Sequence, residues 1–318
     1  MSIAPFGARL DDVAVHYRPM RRMTQQLAVT RDVGGTLLDG VSCVFPAGAI
    51  TGLLGRNGAG KTTMLGLLAG LRRPSSGTVR VGPNGYEQDP WENPAIMSGT
   101  QLIRESGGVT IDLKISGILK HYEWVRPEWD ADYAARLLDL FEVDVRKNPV
   151  SLSRGERSAL GATIGLAARA PLTIFDEVYL GMDAPTRYAF YDELLRDYAE
   201  HPRTVILSSH LVQETERLFE YVVVVDRGRV LLAEPADDMR ARGTSLTGNV
   251  SAVDRFVAGY RVLHRQELGP TVMVTIEGAL AEREETEAVD LGIQVGIVPL
   301  QDLFGHLTST TVQREIER

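Results

Sequence analysis

Short apolar runs along this chain alternate with longer stretches in which apolar residues recur every three or four positions. Residues 49–54, 172–175, 204–207 and 222–225 have the length and continuity of strands buried on both faces. Met64, Leu65, Leu67, Leu68 and Leu71 mark one face of a helix over residues 62–71. Similar spacing predicts helices over residues 113–122, 130–141 and 186–198. A further helix carries Ala159, Leu160, Ile164 and Leu166, with Ser153 as its N-cap. Residues 10–15, 41–45 and 78–81 add strands, and Asp226-Arg227-Gly228 turns a hairpin between residues 222–225 and 229–232. Strands alternating with helices predict an α/β fold with a mainly parallel sheet.

The rhythm changes at Pro235. Beyond it, residues 262–263, 272–276 and 294–298 read as strands and residues 281–288 as an acidic helix, which predicts a small separate α+β domain over 236–318. Residues 83–110 are rich in Gly, Pro and Asn and read as loop with short elements. Residues 18–35, with Arg18, Arg21, Arg22 and Arg31, read as a solvated surface loop or as a contact with lipid headgroups or a partner chain.

Composition narrows the class without deciding the function. The 318 residues suggest about two domains. A net charge of −8 provides no overall basic footprint for nucleic acid, and no nucleic-acid partner is expected. The single cysteine, Cys43, rules out an internal disulfide and fits a reducing cytosol. No apolar run reaches the ~18 residues of a membrane-crossing helix, and the N-terminus shows no secretion signal, so spans at a membrane would come from another chain.

The chemistry is concentrated in three places. Gly55-Arg56-Asn57-Gly58-Ala59-Gly60-Lys61-Thr62 matches the phosphate-binding pattern G-x-x-x-x-G-K-[ST], with a strand before it and a helix after it. Glycines let successive backbone N–H groups turn inward around phosphate oxygens, and the following helix presents its N-terminus to the same charge. Gly55, Asn57, Gly58, Ala59, Gly60, Lys61, Thr62 and Thr63 are therefore the candidate nucleotide contacts; Lys61 should reach the β- and γ-phosphates and Thr62 should bind Mg²⁺. Leu172-Thr173-Ile174-Phe175-Asp176-Glu177 is an apolar strand ending in two acids. Behind a phosphate loop, Asp176 suits Mg²⁺ and Glu177 suits the orientation or deprotonation of an attacking water. Leu152-Ser153-Arg154-Gly155-Glu156 reads as a capped helix start with an acidic first turn.

Together these motifs resemble the ATP-binding subunit of an ABC transporter, over about residues 10–235. In that family a serine-glycine signature precedes the carboxylate strand by a near-fixed interval, which Ser153 and Asp176 match. An aspartate loop lies beyond, represented by Gly181-Met182-Asp183, and then a strand-end histidine, represented by His210 in Leu207-Ser208-Ser209-His210. The resemblance implies a P-loop NTPase core over residues 1–235, with an antiparallel β subdomain and a helical subdomain inserted at about 105–170. It implies ATP and Mg²⁺ as ligands. It also implies two such chains, as a homodimer or a heterodimer, closing head-to-tail over two ATP molecules. Ser153 and Gly155 of one chain would then meet the γ-phosphate held by the other, and His210 would contact the γ-phosphate and support Glu177. The implied function is ATP hydrolysis powering a transmembrane permease. The implied direction is export, because Ser-Arg-Gly resembles an export-type branch, and the implied location is the cytoplasmic face of the membrane. A non-transport regulatory ATPase, or a low-turnover half of a heterodimer, is the alternative.

Several positions depart from the family. Val178-Tyr179 stands where Pro-Thr usually follows the acids, with no phosphate contact expected of either residue. Glu156 replaces a glutamine, and an acid there repels phosphate unless it points away as a capping-box partner of Ser153. The family's glutamine loop falls on Gln101, Glu105 or Ser106. Tyr17 is the candidate for stacking on adenine or, equally, a packing residue. Residues 298–304 resemble the tail of some exporter subunits and read by pattern as the start of an amphipathic helix.

Overall fold

The computed structural model describes residues 4–16, 36–105 and 113–305. Tyr17, the stretch 18–35 and Ser106 lie outside the described residues. The chain divides into two compact units, one comprising residues 1–210 and 223–233, the other 211–222 and 234–318.

The first unit opens with β1 (Phe6–His16) and β2 (Thr36–Phe45), followed by β3 (Ile50–Gly55), α1 (Lys61–Leu68) and β4 (Ser76–Pro83). Then come α2 (Pro94–Ser98), β5 (Thr100–Arg104), α3 (Ile115–Val125), α4 (Ala131–Leu140) and α5 (Arg154–Ala167). The core is completed by β6 (Leu172–Asp176), α6 (Ala184–Glu200) and β7 (Thr204–Ser209). After a short α7 (Val212–Thr215), which belongs to the second unit, β8 (Tyr221–Asp226) and β9 (Arg229–Pro235) follow. Strands β2-β1-β4 form an antiparallel sheet, and a six-stranded sheet has the order β5-β6-β7-β3-β8-β9.

In the larger sheet β5, β6, β7 and β3 run parallel, and every residue of β3, β6 and β7 is buried, as continuous apolar runs require. Parallel strands place all their carboxyl ends on one side, where ligands bind in open α/β sheets. The register aligns Leu54 with Ser209, Asp176 with Ser208, and Arg104 with Asp176. The phosphate loop, the two acids and His210 thus emerge at one edge.

Most predicted elements are present with ends moved by a few residues. The first helix starts at Lys61 and stops at Leu68, and α3 runs over Ile115–Val125. Within the loop-like 83–110 segment, β5 is an edge strand of the parallel sheet; its sequence TQLIR mixes polar and apolar residues and hides the strand.

In the second unit α8 (Ala236–Arg240), β10 (Gly243–Asn249), α9 (Val250–Phe256), β11 (Val262–Leu268), β12 (Thr271–Glu277), α10 (Glu282–Asp290) and β13 (Gln294–Ile297) follow in order. The sheet order is β11-β12-β10-β13. Strand β10 was not expected, because GTSLTGN has the composition of a turn; it is held as a strand by β12 and β13 on either side, with Leu246 fully buried at its centre. Residues 300–305 are helical, with Leu300 and Leu303 buried.

Candidate functional site

The phosphate loop closes β3 and opens α1. Gly58 and Gly60 have φ of 81° and 108°, in the left-handed region that favours glycine. At Gly60 a Cβ would also meet Leu38 Cδ2 at 2.7 Å, so two requirements converge on one residue. The loop is braced from outside by the Gly228 N–H, which donates to the Ala59 carbonyl at 2.9 Å. Thr62 is exposed and Thr63 half-buried at the start of α1.

Lys61 is only 5% exposed. Its ammonium donates to the carbonyls of Gly55 at 2.7 Å and Arg56 at 3.3 Å, and lies 3.2 Å from Glu177 Oε1. Three donors meet three acceptors, which is how a buried ammonium is tolerated.

The acids are fixed by a neighbour that sequence reasoning missed. Ser208 Oγ donates to Asp176 Oδ1 at 2.7 Å and accepts the Glu177 N–H at 3.0 Å. One fully buried hydroxyl therefore orients both acidic residues, and only the register of β6 against β7 reveals it. Glu177 has φ 51°, an uncommon conformation for a non-glycine residue, and its carboxylate sits between Lys61 and His210, whose Nδ1 is 3.6 Å from Oε1.

A cavity of about 560 Å³ joins these parts, lined by Leu37, Asn57, Gly58, Gly60, Lys61, Thr62, Thr63, Glu105, Arg154, Glu177, Leu180 and His210. Of the two glutamine-loop candidates among the described residues, Gln101 and Glu105, it is Glu105 that stands in this lining. Gln101 is 3% exposed within β5, with its Oε1 buried and unpaired. Glu105 pairs with Arg154.

At α5, Ser153 Oγ accepts the Glu156 N–H at 3.1 Å while Glu156 accepts the Ser153 N–H at 2.7 Å, a reciprocal capping box. Lys147 donates to Glu156 at 2.9 Å. These contacts, Lys147 first and then the Ser153 N–H, hold the Glu156 carboxyl down at about 2. Its charge is thereby answered on the spot, and the Ser153 O–H keeps its proton for another acceptor. Gly155 packs so closely on the aspartate loop that a Cβ would stand 2.6 Å from the Gly181 carbonyl. Asp183 caps α6 by accepting the Thr186 N–H at 3.0 Å.

The donor set suits Mg²⁺ bound with a polyphosphate. Asp176 is buried with one oxygen already oriented, and Thr62 lies exposed on the cavity lining. Among the described residues no group of three or more His, Cys, Asp or Glu could form a cage, and Mg²⁺ needs none when phosphates and water complete its shell.

Residues 38–179 match the family model described as ABC transporter. The daunorubicin/doxorubicin resistance ATP-binding protein DrrA of Streptomyces peucetius is 30% identical over 248 residues, covering 76% of this chain and 73% of that protein. The aliphatic sulfonates import ATP-binding protein SsuB 1 of Burkholderia lata is 31% identical over 215 residues, covering 66% of this chain and 63%, just under two thirds, of that protein. A solved structure titled as the ATP binding subunit of an ABC transporter superposes with a TM-score of 0.59 at 24% identity, over 73% of this chain and 91% of that one, and so shares the fold.

Proposed function

This chain belongs to the family of ABC transporter ATP-binding proteins, and from that premise we propose that it binds ATP with Mg²⁺, hydrolyses it, and thereby drives a transmembrane permease. The observation that carries this reading is the convergence of Lys61, Thr62, Glu177 and His210 on one cavity at the carboxyl edge of the parallel sheet.

On this reading the amides of Gly58 to Lys61 cradle the phosphates. The Lys61 ammonium exchanges the carbonyls of Gly55 and Arg56 for phosphate oxygens. Thr62 and Asp176 would hold Mg²⁺, which would neutralise charge on the phosphates, and Glu105 shares the cavity lining with Thr62. Glu177 orients the attacking water and takes its proton. Ser153 and Gly155, exposed or half-exposed at the start of α5, serve the γ-phosphate bound by a second subunit, so that nucleotide joins the dimer. Tyr17 is proposed to stack on adenine.

Among the described residues no helix is long and apolar enough to cross a membrane. Membership of the family is what supports assigning the spans to a permease partner and this chain to its cytoplasmic face. The proposed direction is export, on the resemblance of Ser153-Arg154-Gly155 to an export-type signature; the relatives include both a resistance protein and an import protein, and the direction rests on that resemblance alone.

The test is Glu177→Gln in the full chain with ATP and Mg²⁺. The variant is expected to bind ATP, accumulate as a dimer on size exclusion, and turn over at least ~100-fold more slowly, the scale of a lost general base. Turnover like the wild type would remove Glu177 from its role and with it the proposed hydrolytic mechanism.

A further inference from the structure

Among the described residues the nucleotide cavity is lined by two acids, Glu105 and Glu177, and by two permanent cations, Lys61 and Arg154. Each acid is matched to one cation. Glu177 Oε1 lies 3.2 Å from Lys61 Nζ, and the Glu105 carboxylate is paired with the Arg154 guanidinium. The first pair belongs to the phosphate chemistry proposed above. The second is left over by it, and Glu105 brings a negative charge into a cavity whose proposed ligand is itself strongly negative.

An exposed ion pair is ordinarily weak, because ordering two long side chains offsets their attraction. The Arg154 side chain is 60% exposed and that of Glu105 47%, yet the fold holds both in place. The Arg154 stem lies across Gly181, where a Cβ would stand 2.7 Å from Arg154 Cγ and 3.1 Å from Cδ. Four residues on, and on the same face of α5, Ser158 is fully buried. Its hydroxyl lies 2.6 Å from the Leu180 carbonyl and 3.1 Å from the Glu105 carbonyl, and carbonyls can only accept, so both share its one proton. Helix α5 therefore grips Glu105 twice, by its carboxylate through Arg154 and by its main chain through Ser158. The two charges are ordered by folding, before any ligand enters.

We infer that Arg154 is a positioning residue that holds the Glu105 carboxylate in a neutral pair, so that an acid can stand in the cavity lining without repelling the phosphates that enter beside it. ATP as the ligand is taken from the reading above; the hydrolytic roles of Glu177 and His210 are not needed.

The experiment is calorimetric titration of the full chain with ATP in EDTA, at low salt and at about 1 M salt, where charges are screened within about 3 Å. At low salt Arg154→Ala should bind ATP about fivefold more weakly, because Glu105 is left unanswered, and Glu105→Gln about fivefold more tightly, because Arg154 is left free to attract phosphate. The double variant and the charge-keeping Arg154→Lys should both stay within about twofold of the wild type, and all differences should shrink at high salt. Damage to α5 would weaken binding whatever stands at position 105. Weakening by Arg154→Ala that Glu105→Gln does not reverse therefore overturns the inference, and so do single variants that shift affinity in the same direction or not at all. ATP that binds the wild type only with Mg²⁺ would show that the metal, not Arg154, answers Glu105, and overturns the inference alone. A wild type that binds ATP neither with nor without Mg²⁺ overturns the ATP reading as well.

Discussion

Lys61 Nζ lies 3.2 Å from Glu177 Oε1, so before nucleotide arrives the proposed phosphate ligand and the proposed base are partners of each other. Both are largely buried, at 5% and 17% side-chain exposure, and each must change partner when phosphate enters. Removing the charge on Glu177 leaves the Lys61 ammonium with two carbonyls only, an under-compensated state that phosphate relieves. Glu177→Gln is therefore expected to bind ATP more tightly than the wild type, by about fivefold, while losing some stability without nucleotide. Calorimetric titration of both proteins checks this; weaker binding by the variant would show that the ion pair does not oppose phosphate entry.

Ser208 offers a second test of how the acids are held. Its hydroxyl bonds both Asp176 Oδ1 and the Glu177 N–H, and it is fully buried. Ser208→Ala leaves a buried N–H unanswered and frees the Asp176 carboxylate to rotate, at a cost of about 1–3 kcal/mol. Turnover is expected to fall about tenfold, and the Mg²⁺ concentration for half-maximal activity to rise, with ATP binding in the absence of Mg²⁺ unchanged. A Mg²⁺ titration of steady-state hydrolysis separates this from a general loss of folding.

The parts of the site visible in the sequence are those set by local demands. Backbone curvature around phosphate calls for glycine at positions such as 58 and 60, and a strand end beside that loop calls for acids. The parts that were hidden depend on register. Ser208 meets Asp176 only because β6 and β7 align those two residues, and nothing in a Ser-Ser pair announces it. Glu105, one of the three glutamine-loop candidates, reaches the cavity because it follows β5, a strand in a segment whose glycines and prolines read as loop, and the sequence alone does not choose it over the others. Tyr179, of which no phosphate contact is expected, meets His210 beyond the end of another strand, a neighbour that sequence spacing does not announce. In the second unit β10 was missed for a related reason: its polar residues become a strand through neighbours on both sides rather than through their own propensity.

Gly155 separates nucleotide binding from the proposed subunit contact. A Cβ there would sit 2.6 Å from the Gly181 carbonyl, so Gly155→Ala must displace either the first turn of α5 or the aspartate loop. The phosphate loop is untouched. ATP affinity of the monomer is expected to stay within about twofold, while ATP-dependent dimerisation of the Glu177→Gln form weakens at least tenfold, equivalent to about 1.4 kcal/mol. Light scattering with and without ATP reads both quantities in one series.

Glu156 gives a prediction in pH. Its carboxyl is held at about 2, below an ordinary value of 4.5, by Lys147 and the Ser153 N–H. The folded state therefore binds fewer protons at this site than the unfolded chain between those limits. The stabilisation is fully present above pH 4.5 and is lost as pH falls toward 2. Solvent screening keeps the Lys147 contribution small, and the capping box sets the scale at about 1 kcal/mol. Glu156→Ala should lower the melting temperature at pH 7 by about 2–3 °C. The gap between variant and wild type should close progressively below pH 4.5, as far down as both remain folded. Thermal unfolding followed by circular dichroism at stepped pH measures it, and a gap that widens on acidification would mean that Glu156 repels its surroundings instead of capping the helix.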